Sequence, residues 1–522
     1  MSSESLTQIV KDLVLKYKDN TIVLNKMTHY IEQLPELLVN THTTFIEREK
    51  RKNNLESESE SFVQKFLHTY KYYYNPSSEL FFEYRNDNKF YMVKEDDVQH
   101  TILSTISNNK TLTAWKHKLK ISILKRIKER DIFSCIPESE TIQNVINKLY
   151  PSVCDNREKA KYFLTVLGDI LLKKCGHTYF ITNKAKPFLK EISNLACMLF
   201  GSPNLFNIFK IKYYDHKYAD CRILDTQEYI NLDNWTSYFK HEYALDLFCV
   251  AAHYSQRYES ADLFLLDHCK DDMLKNYAFY LKDRNESQII DLFYQNNTEP
   301  SDDCSISWKN MQYLWKHFID TERLPNMFFS STLKTRLIEQ FKYDGHKDVF
   351  LDCTSKLLPN VSKFIQFWNE NIELTDYMDH PSDGGHVTDE LETEELETDE
   401  LCSLFSYHTK INISEKNVLD LIKHYYPDIA IEDDKYILNV KCKIWNKKQE
   451  IIESVKKYDN GDSTVNIYSE EVPINELYQY YCKQKNRFTV SKRYFEKFLK
   501  AESQLYITDD NFVKVDSFNN IQ

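Results

Sequence analysis

Apolar residues recur at helical spacing through most of the chain, so helices are the expected scaffold. Ile9, Leu13 and Leu15, then Ile31, Leu34 and Leu37, predict a helical pair over residues 1–50. The charged cluster Glu47–Lys52 and the Ser-Glu run Ser57–Ser61 interrupt that pattern and read as a solvated connection. Phe62–Tyr74 predicts a further helix, and Leu80–Tyr84 with Lys89–Val93 a hairpin across Arg85-Asn86-Asp87-Asn88. Trp115, Leu119, Ile123 and Ile127, four apart, predict a helix with one apolar stripe inside Lys110–Arg130.

Pro137, Glu138 and Glu140 suit the first turn of a helix reaching Leu149, because a fixed φ and acidic side chains both favour a helix N-terminus. Asp155 with Glu158 has the form of a capping box opening Lys159–Lys174, and Gly176 falls just past that helix. Thr178–Ile181 reads as strand, Ala185–Phe200 as helix, and Phe209–Tyr214 with Cys221–Leu224 as further strand, so this part is α+β. From Trp235 to Leu374 the pattern is helical, with helix pairs like those of an α-solenoid but no fixed period sustained over three units.

Asp376–Leu401 holds the chain's adjacent glycines and three acidic five-residue units starting at Thr388, Thr393 and Thr398. So much charge with so few large side chains predicts a linker. Passive solvation is the simpler role for it; competition with nucleic acid for basic patches is the alternative. Beyond it, Ser414–Ile437 lines up with Ser491–Val513: Ser414 matches Ser491 as N-cap, Val418 matches Phe495, Ile422 matches Leu499, and Asp433-Asp434 match Asp509-Asp510. Each is preceded by an expected helix, Glu400–Tyr407 and Ile474–Lys485. Helix, turn, helix and hairpin is the skeleton of a winged helix, so a tandem pair of winged-helix-like units is expected.

The whole chain therefore reads as mainly α with α+β portions and several domains. The expected divisions are 1–60 helical, 61–234 α+β with the basic helix, 235–375 all-helical, 376–401 acidic linker, and 402–522 tandem winged-helix-like. Composition narrows the chemistry. Seven Gly and twelve Pro in 522 residues disfavour glycine-rich nucleotide loops and turn-dense β-sandwiches. The richness in Lys, Asn, Tyr, Ile and Phe is what an AT-rich genome encodes. Twelve cysteines without a CxxC pair indicate neither a disulfide framework nor a zinc ribbon and point to a reducing, intracellular setting. The N-terminus lacks the form of a signal peptide, and Ala244–Ala252, broken by Asp246, is too short to cross a bilayer. No phosphate loop, GxGxxG, GxSxG, HExxH or kinase motif occurs, so no catalytic residue, cofactor or metal is expected.

Charge marks two stretches. Against a net charge of -12, Lys110–Arg130 carries eight basic residues and one acid. Lys116, Lys120, Lys125, Arg126 and Lys128 of that helix are candidate phosphate contacts, with an ordinary basic surface as the plainer reading. Ile474–Val515 carries eight basic residues and five acids, and Lys492, Arg493, Lys497, Lys500 and Lys514 are its candidate contacts, because the second helix of such a motif commonly enters the major groove. The tyrosines at 70, 72, 73 and 74 read as packing rather than base-stacking. Asp215, His216 and Asp220 read as a surface loop rather than metal ligands.

Several blocks resemble replication-related proteins of giant nucleocytoplasmic large DNA viruses: residues 136–146, IPESETIQNVI; 160–169, AKYFLTVLGD; 251–262, AAHYSQRYESAD; 306–318, ISWKNMQYLWKHF; and 354–368, TSKLLPNVSKFIQFW. The tail ELYQYYCKQKNRFTVSKRYFEKFL is similar to the winged-helix region that follows the ATPase in poxvirus-type primase-helicases. The chain departs from those helicases in having no phosphate loop, so the resemblance carries over no ATP-driven step. What it implies is a non-catalytic factor of viral DNA replication or transcription, partnered by nucleic acid, DNA above all, and by replication or transcription proteins, without a membrane partner. The implied location is intracellular: host cytoplasm at the viral factory, or the virion. The alternative is a helical interaction scaffold of a viral replication complex or virion.

Overall fold

Two helices open the chain, α1 (Ser3–Lys16) and α2 (Thr21–Thr69). The connection expected between residues 47 and 61 is instead part of one 49-residue helix. Its charged stretch consists largely of good helix formers, and Arg51 pairs with Glu47 one turn back, the spacing that supports an exposed helix. The computed structural model describes residues 3–174, 176–201, 207–227, 229–240, 244–375, 394–459, 471–484, 487–502, 505, 507–508 and 511–514. Within them the chain is mainly helical with small sheets.

It divides into two units, Met1–Asn285 with Arg323–Met327, and Glu286–Glu322 with Phe328–Gln522. In unit one, α2 leads into β1 (Lys71–Asn75), β2 (Leu80–Tyr84) and β3 (Phe90–Val93), an antiparallel sheet in that order. Next come α3 (Glu95–Ser107), α4 (Lys116–Lys128), α5 (Ser139–Leu149) and α6 (Arg157–Leu171). The expected Asp155 cap is replaced by Asn156, whose side chain accepts from Lys159 N, while Asp155 pairs with Lys159 Nζ.

A parallel sheet follows, built from β4 (Thr178–Phe180), α7 (Lys186–Phe200), β5 (Phe209–Lys210) and β6 (Cys221–Ile223), with β4 between β5 and β6. Then α8 (Leu232–Lys240), α9 (Ala244–Tyr258), α10 (Ala261–Leu263) and α11 (Asp272–Ala278) complete the unit. These last helices belong here because α9 lies directly on α6. A Cβ at Gly168 would sit 2.0 Å from the Ala251 carbonyl oxygen, so only glycine permits that approach. Buried Asp169 joins the contact, accepting from Ser255 Oγ at 2.6 Å and Ala261 N at 2.7 Å.

Unit two begins with α12 (Glu286–Asn297), β7 (Glu299–Ser307), α13 (Trp308–Thr321), α14 (Ser330–Gln340), β8 (Tyr343–Asp344) and β9 (Val349–Thr354). The strands form an antiparallel sheet with β9 central, where only helix was expected. β7 reads EPSDDCSIS, polar and mostly exposed, and offers no alternation to a sequence reader. It is a strand because β9 pairs with it.

Two copies of one arrangement follow. The first is α15 (Leu358–Asn371), β10 (Ile372–Leu374), β11 (Glu395–Glu397), α16 (Thr398–Thr409), α17 (Glu415–Tyr425), β12 (Ile431–Glu432), β13 (Tyr436–Leu438) and β14 (Val440–Cys442). Its sheet runs β11-β13-β12, and β10 pairs with β14 beside it. The second is α18 (Lys447–Asp459), β15 (Glu471–Pro473), α19 (Ile474–Lys483), α20 (Lys492–Ala501) and β16 (Phe512–Lys514). There β15 pairs with β16, and Ile507 bridges Val513 on the far side of β16. Both copies thus share the order helix, strand, helix, helix and a central strand, β13 between β11 and β12 in the first and β16 between β15 and Ile507 in the second; β10 and β14 are additional to the first copy among the described residues. Leu396, Phe405, Val418 and Ile422 of the first share one buried cluster with Val472, Tyr481, Phe495 and Leu499 of the second.

The acidic segment expected to be linker up to Leu401 enters this core, since 394–401 supplies β11 and opens α16. Residues 376–393, Lys485 and the expected turn at Asp509-Asp510 lie outside the described residues.

Candidate nucleic-acid interface

The apolar side of α4 sets its orientation. Leu119, Ile123 and Ile127 are buried among Val63, Phe66 and Leu67 of α2 and Ile102 and Ile106 of α3, so its bases take the remaining surface. Most already hold a neighbour. Lys116 Nζ donates to Ser107 Oγ at 2.8 Å and Lys120 Nζ to Gln99 Oε1 at 2.9 Å. Arg126 grips both oxygens of Glu60, at 2.8 and 2.7 Å, and this hydrogen bonding, with that of Gln64, holds the Glu60 carboxyl below its ordinary range. Lys128 stands 3.8 Å from Glu95 and lies over the rings of Tyr74 and Phe81. Lys125 reaches Glu129 at 4.0 Å with both side chains exposed. Exposed pairs of this kind are weak, and a phosphate competes with them readily.

Beside α4 runs an open groove of about 700 Å³ whose lining includes His68, Lys71, Arg126 and Arg130, with Glu129 as its acid. Arg130 is oriented by donating to Leu67 O at 2.9 Å. Sequence reading did not select His68 or Lys71, which the end of α2 and the start of β1 carry to this groove. The neighbouring tyrosines pack: Tyr72 is buried, and Tyr70 stacks on it with ring centroids 6.0 Å apart.

In the second repeat, α20 buries Tyr494, Phe495 and Leu499 and leaves Lys492 and Lys500 exposed. Ser491 caps it, accepting from Tyr494 N at 3.3 Å, while the Ser491 N–H donates to Glu400 at 2.7 Å. Lys492 faces Glu496 at 3.6 Å on the exposed side. Lys500 and Lys514 are exposed. Arg493 and Lys497 are placed differently. Arg493 bonds Glu432, lies 3.4 Å from Glu395 and covers the Tyr436 ring at 4.0 Å; Lys497 lies 3.3 Å from the same Glu395. The Glu395 side chain is 1% exposed. Two of the five expected contacts are therefore held by an acid from the segment that was expected to be linker.

That acidic segment organises the surroundings of α20. Glu394 accepts from Tyr494 Oη at 2.8 Å and pairs with Lys448 at 2.9 Å. Glu397 pairs with Lys435. Glu400, 1% exposed, meets Lys447, 5% exposed, at 2.5 Å; burial pushes its carboxyl pKa up, against the opposing pull of Lys447 and the Glu397 and Ser491 N–H groups. A signal for this was available. Glu395-Leu396 and Glu400-Leu401 match Glu471-Val472 and Glu476-Leu477, so the internal echo begins well before Ser414.

The first repeat presents its second helix to its own chain. Tyr425 Oη donates to Asn310 Oδ1 at 2.8 Å, Lys309 Nζ donates to Tyr425 O at 3.1 Å, and Tyr313 lies against the rings of His424 and Tyr425. The helix α13 thus covers this side of α17, whose charges, Glu415 and Asp420 against Lys416 and Lys423, are balanced.

Among the described residues no cluster of three His, Cys, Asp or Glu side chains is placed to hold a metal ion. No described helix is long and apolar enough to cross a membrane. Comparison with protein-family models, with curated proteins and with solved structures finds no match to this chain.

Proposed function

We propose that this chain is a non-catalytic nucleic-acid-binding factor whose two C-terminal repeats are winged-helix units, the second binding the phosphate backbone through α20. The observation that carries the reading is the element order of that repeat, with α20 as the second of the paired helices ahead of the hairpin and Lys492, Lys500 and Lys514 exposed on it and its last strand. A helix in this position is the usual reader of the DNA major groove. In the first repeat the equivalent helix packs on α13, which favours a structural role for that copy and leaves the second as the one proposed to bind the ligand. The groove beside α4, with Lys71, Arg126 and Arg130, supplies a second site for phosphate oxygens. DNA as the ligand, and viral replication or transcription as the setting, rest on the resemblance of the tail and the scattered blocks.

The test is a titration of labelled duplex DNA at several salt concentrations with the wild-type chain and Lys492→Glu/Lys500→Glu. Loss of two phosphate contacts lowers the slope of log K against log salt by about 1.8. Binding that is undetectable at low salt, or unchanged in a folded double variant, would sink the proposal.

A further inference from the structure

The N-terminal helices carry an apolar surface that the rest of the fold does not use. No residue of α1 is buried, and α2 is buried only at Val63, Phe66 and Leu67, close to its C-terminal end. Fifteen of the large apolar side chains that the described residues expose lie before residue 47, at 40% to 72% exposure.

Their spacing is regular. Ile31, Leu38 and Phe45 recur every seven residues on α2 after the half-buried Leu24, and the half-buried Met27 and the exposed Leu34 follow three positions after Leu24 and Ile31. This is the heptad pattern by which helices pair, and Tyr30 and Leu37 widen the stripe in the manner of a multi-helix bundle. On α1, Leu6, Val10 and Leu13 repeat the spacing over two turns. The stripe stops where the charged run Glu47–Lys52 begins.

We propose that α1 and the first half of α2 form a homodimerisation module, two copies of the chain packing these stripes together. Area supports a second copy as the occupant. Full burial of one such side chain corresponds to roughly 60–120 Å², so the nine of the fifteen that lie on the stripes, about half exposed, leave roughly 300–550 Å² of apolar surface to cover, against roughly 500 Å² that is apolar in one face of an ordinary homodimer. A stable dimer needs about 800 Å² from each partner. Charge points the same way. Between Ile22 and Ile46 the charged residues are Lys26, Glu32 and Glu36, too few and too mixed to select an acidic or basic partner. A membrane surface would call for a strongly basic polar face, which this segment lacks.

The test uses the full chain in sedimentation velocity at micromolar concentration. The wild type sediments at twice the monomer mass. Leu34→Glu/Leu38→Glu, which places charge in the stripe, sediments as monomer, and Asn40→Glu, outside the stripe, remains dimeric. Because the first half of α2 joins no core, the thermal unfolding of the double variant matches the wild type, which separates loss of the dimer from loss of the fold. A monomeric wild type, a dimer that survives the double substitution, or a monomer that instead cosediments with phosphatidylcholine–phosphatidylserine vesicles overturns the proposal.

Discussion

Glu395→Gln is the most informative substitution at α20. The carboxylate is 1% exposed and lies 3.4 Å from Arg493 and 3.3 Å from Lys497, so it neutralises two cations on the face proposed to meet phosphate. Glutamine keeps the shape and removes the charge. The two cations are 35% and 23% exposed, so neither is stranded away from water by the change. Partial solvation of both partners discounts the loss, which we put at about 1–2 kcal/mol of stability. Binding changes in the opposite direction. Each cation released to a phosphate steepens the slope of log K against log salt by about 0.9, which at about 0.1 M salt is roughly eightfold in affinity. Arg493 keeps Glu432 as a partner, so the expected range runs from one released contact to two. Fluorescence anisotropy with labelled duplex DNA across a salt series measures both quantities. Glu453→Gln, an exposed acid on α18, makes the same change in net charge and should leave the slope as it was. A folded Glu395→Gln protein with wild-type affinity and slope would refute the reasoning, because Arg493 and Lys497 would then have no phosphate to meet.

Two further outcomes test the fold. Lys447→Met leaves the Glu400 carboxylate buried against two backbone N–H groups without its cation; a loss of about 3–5 kcal/mol in chemical denaturation of unit two is expected, and one below about 1 kcal/mol would show that the ion pair is dispensable. Burial pushes the Asp246 carboxyl up to about 7, while the Phe90 N–H, donating at 2.9 Å, pulls the other way. A folded-state pKa above the unfolded value of about 4 means that its stabilising contribution is complete below that value and is lost as pH rises toward 7. Denaturation of the wild type should weaken across that window, and Asp246→Asn, whose amide oxygen can still accept from Phe90, should flatten the dependence; an unaltered pH profile in the variant would remove Asp246 as its cause.

Local chemistry was legible from residues alone wherever neighbours in sequence decide the outcome. The four-residue spacing of Leu119, Ile123 and Ile127 marked the buried side of α4, and Ser414 and Ser491 marked the starts of α17 and α20 because a cap acts within three residues. The β2–β3 hairpin followed from its alternation and short polar turn. Repetition between the two C-terminal copies was readable because it is written in the positions of caps and core residues.

What lay beyond the sequence depends on distant partners. A charged stretch reads alike as linker or exposed helix, and α2 continues through it because helical hydrogen bonds and i,i+4 pairs suffice without burial. β7 has no pattern of its own and takes its conformation from β9. Glu395 looked like one acid of a solvated run; β11 pairs with β13 and carries it into the core, where Arg493 and Lys497 reach it from about 100 residues along the chain. Sequence set the number and sign of charges on α20, whereas tertiary structure decided which remain exposed, because ion pairing depends on separation in space.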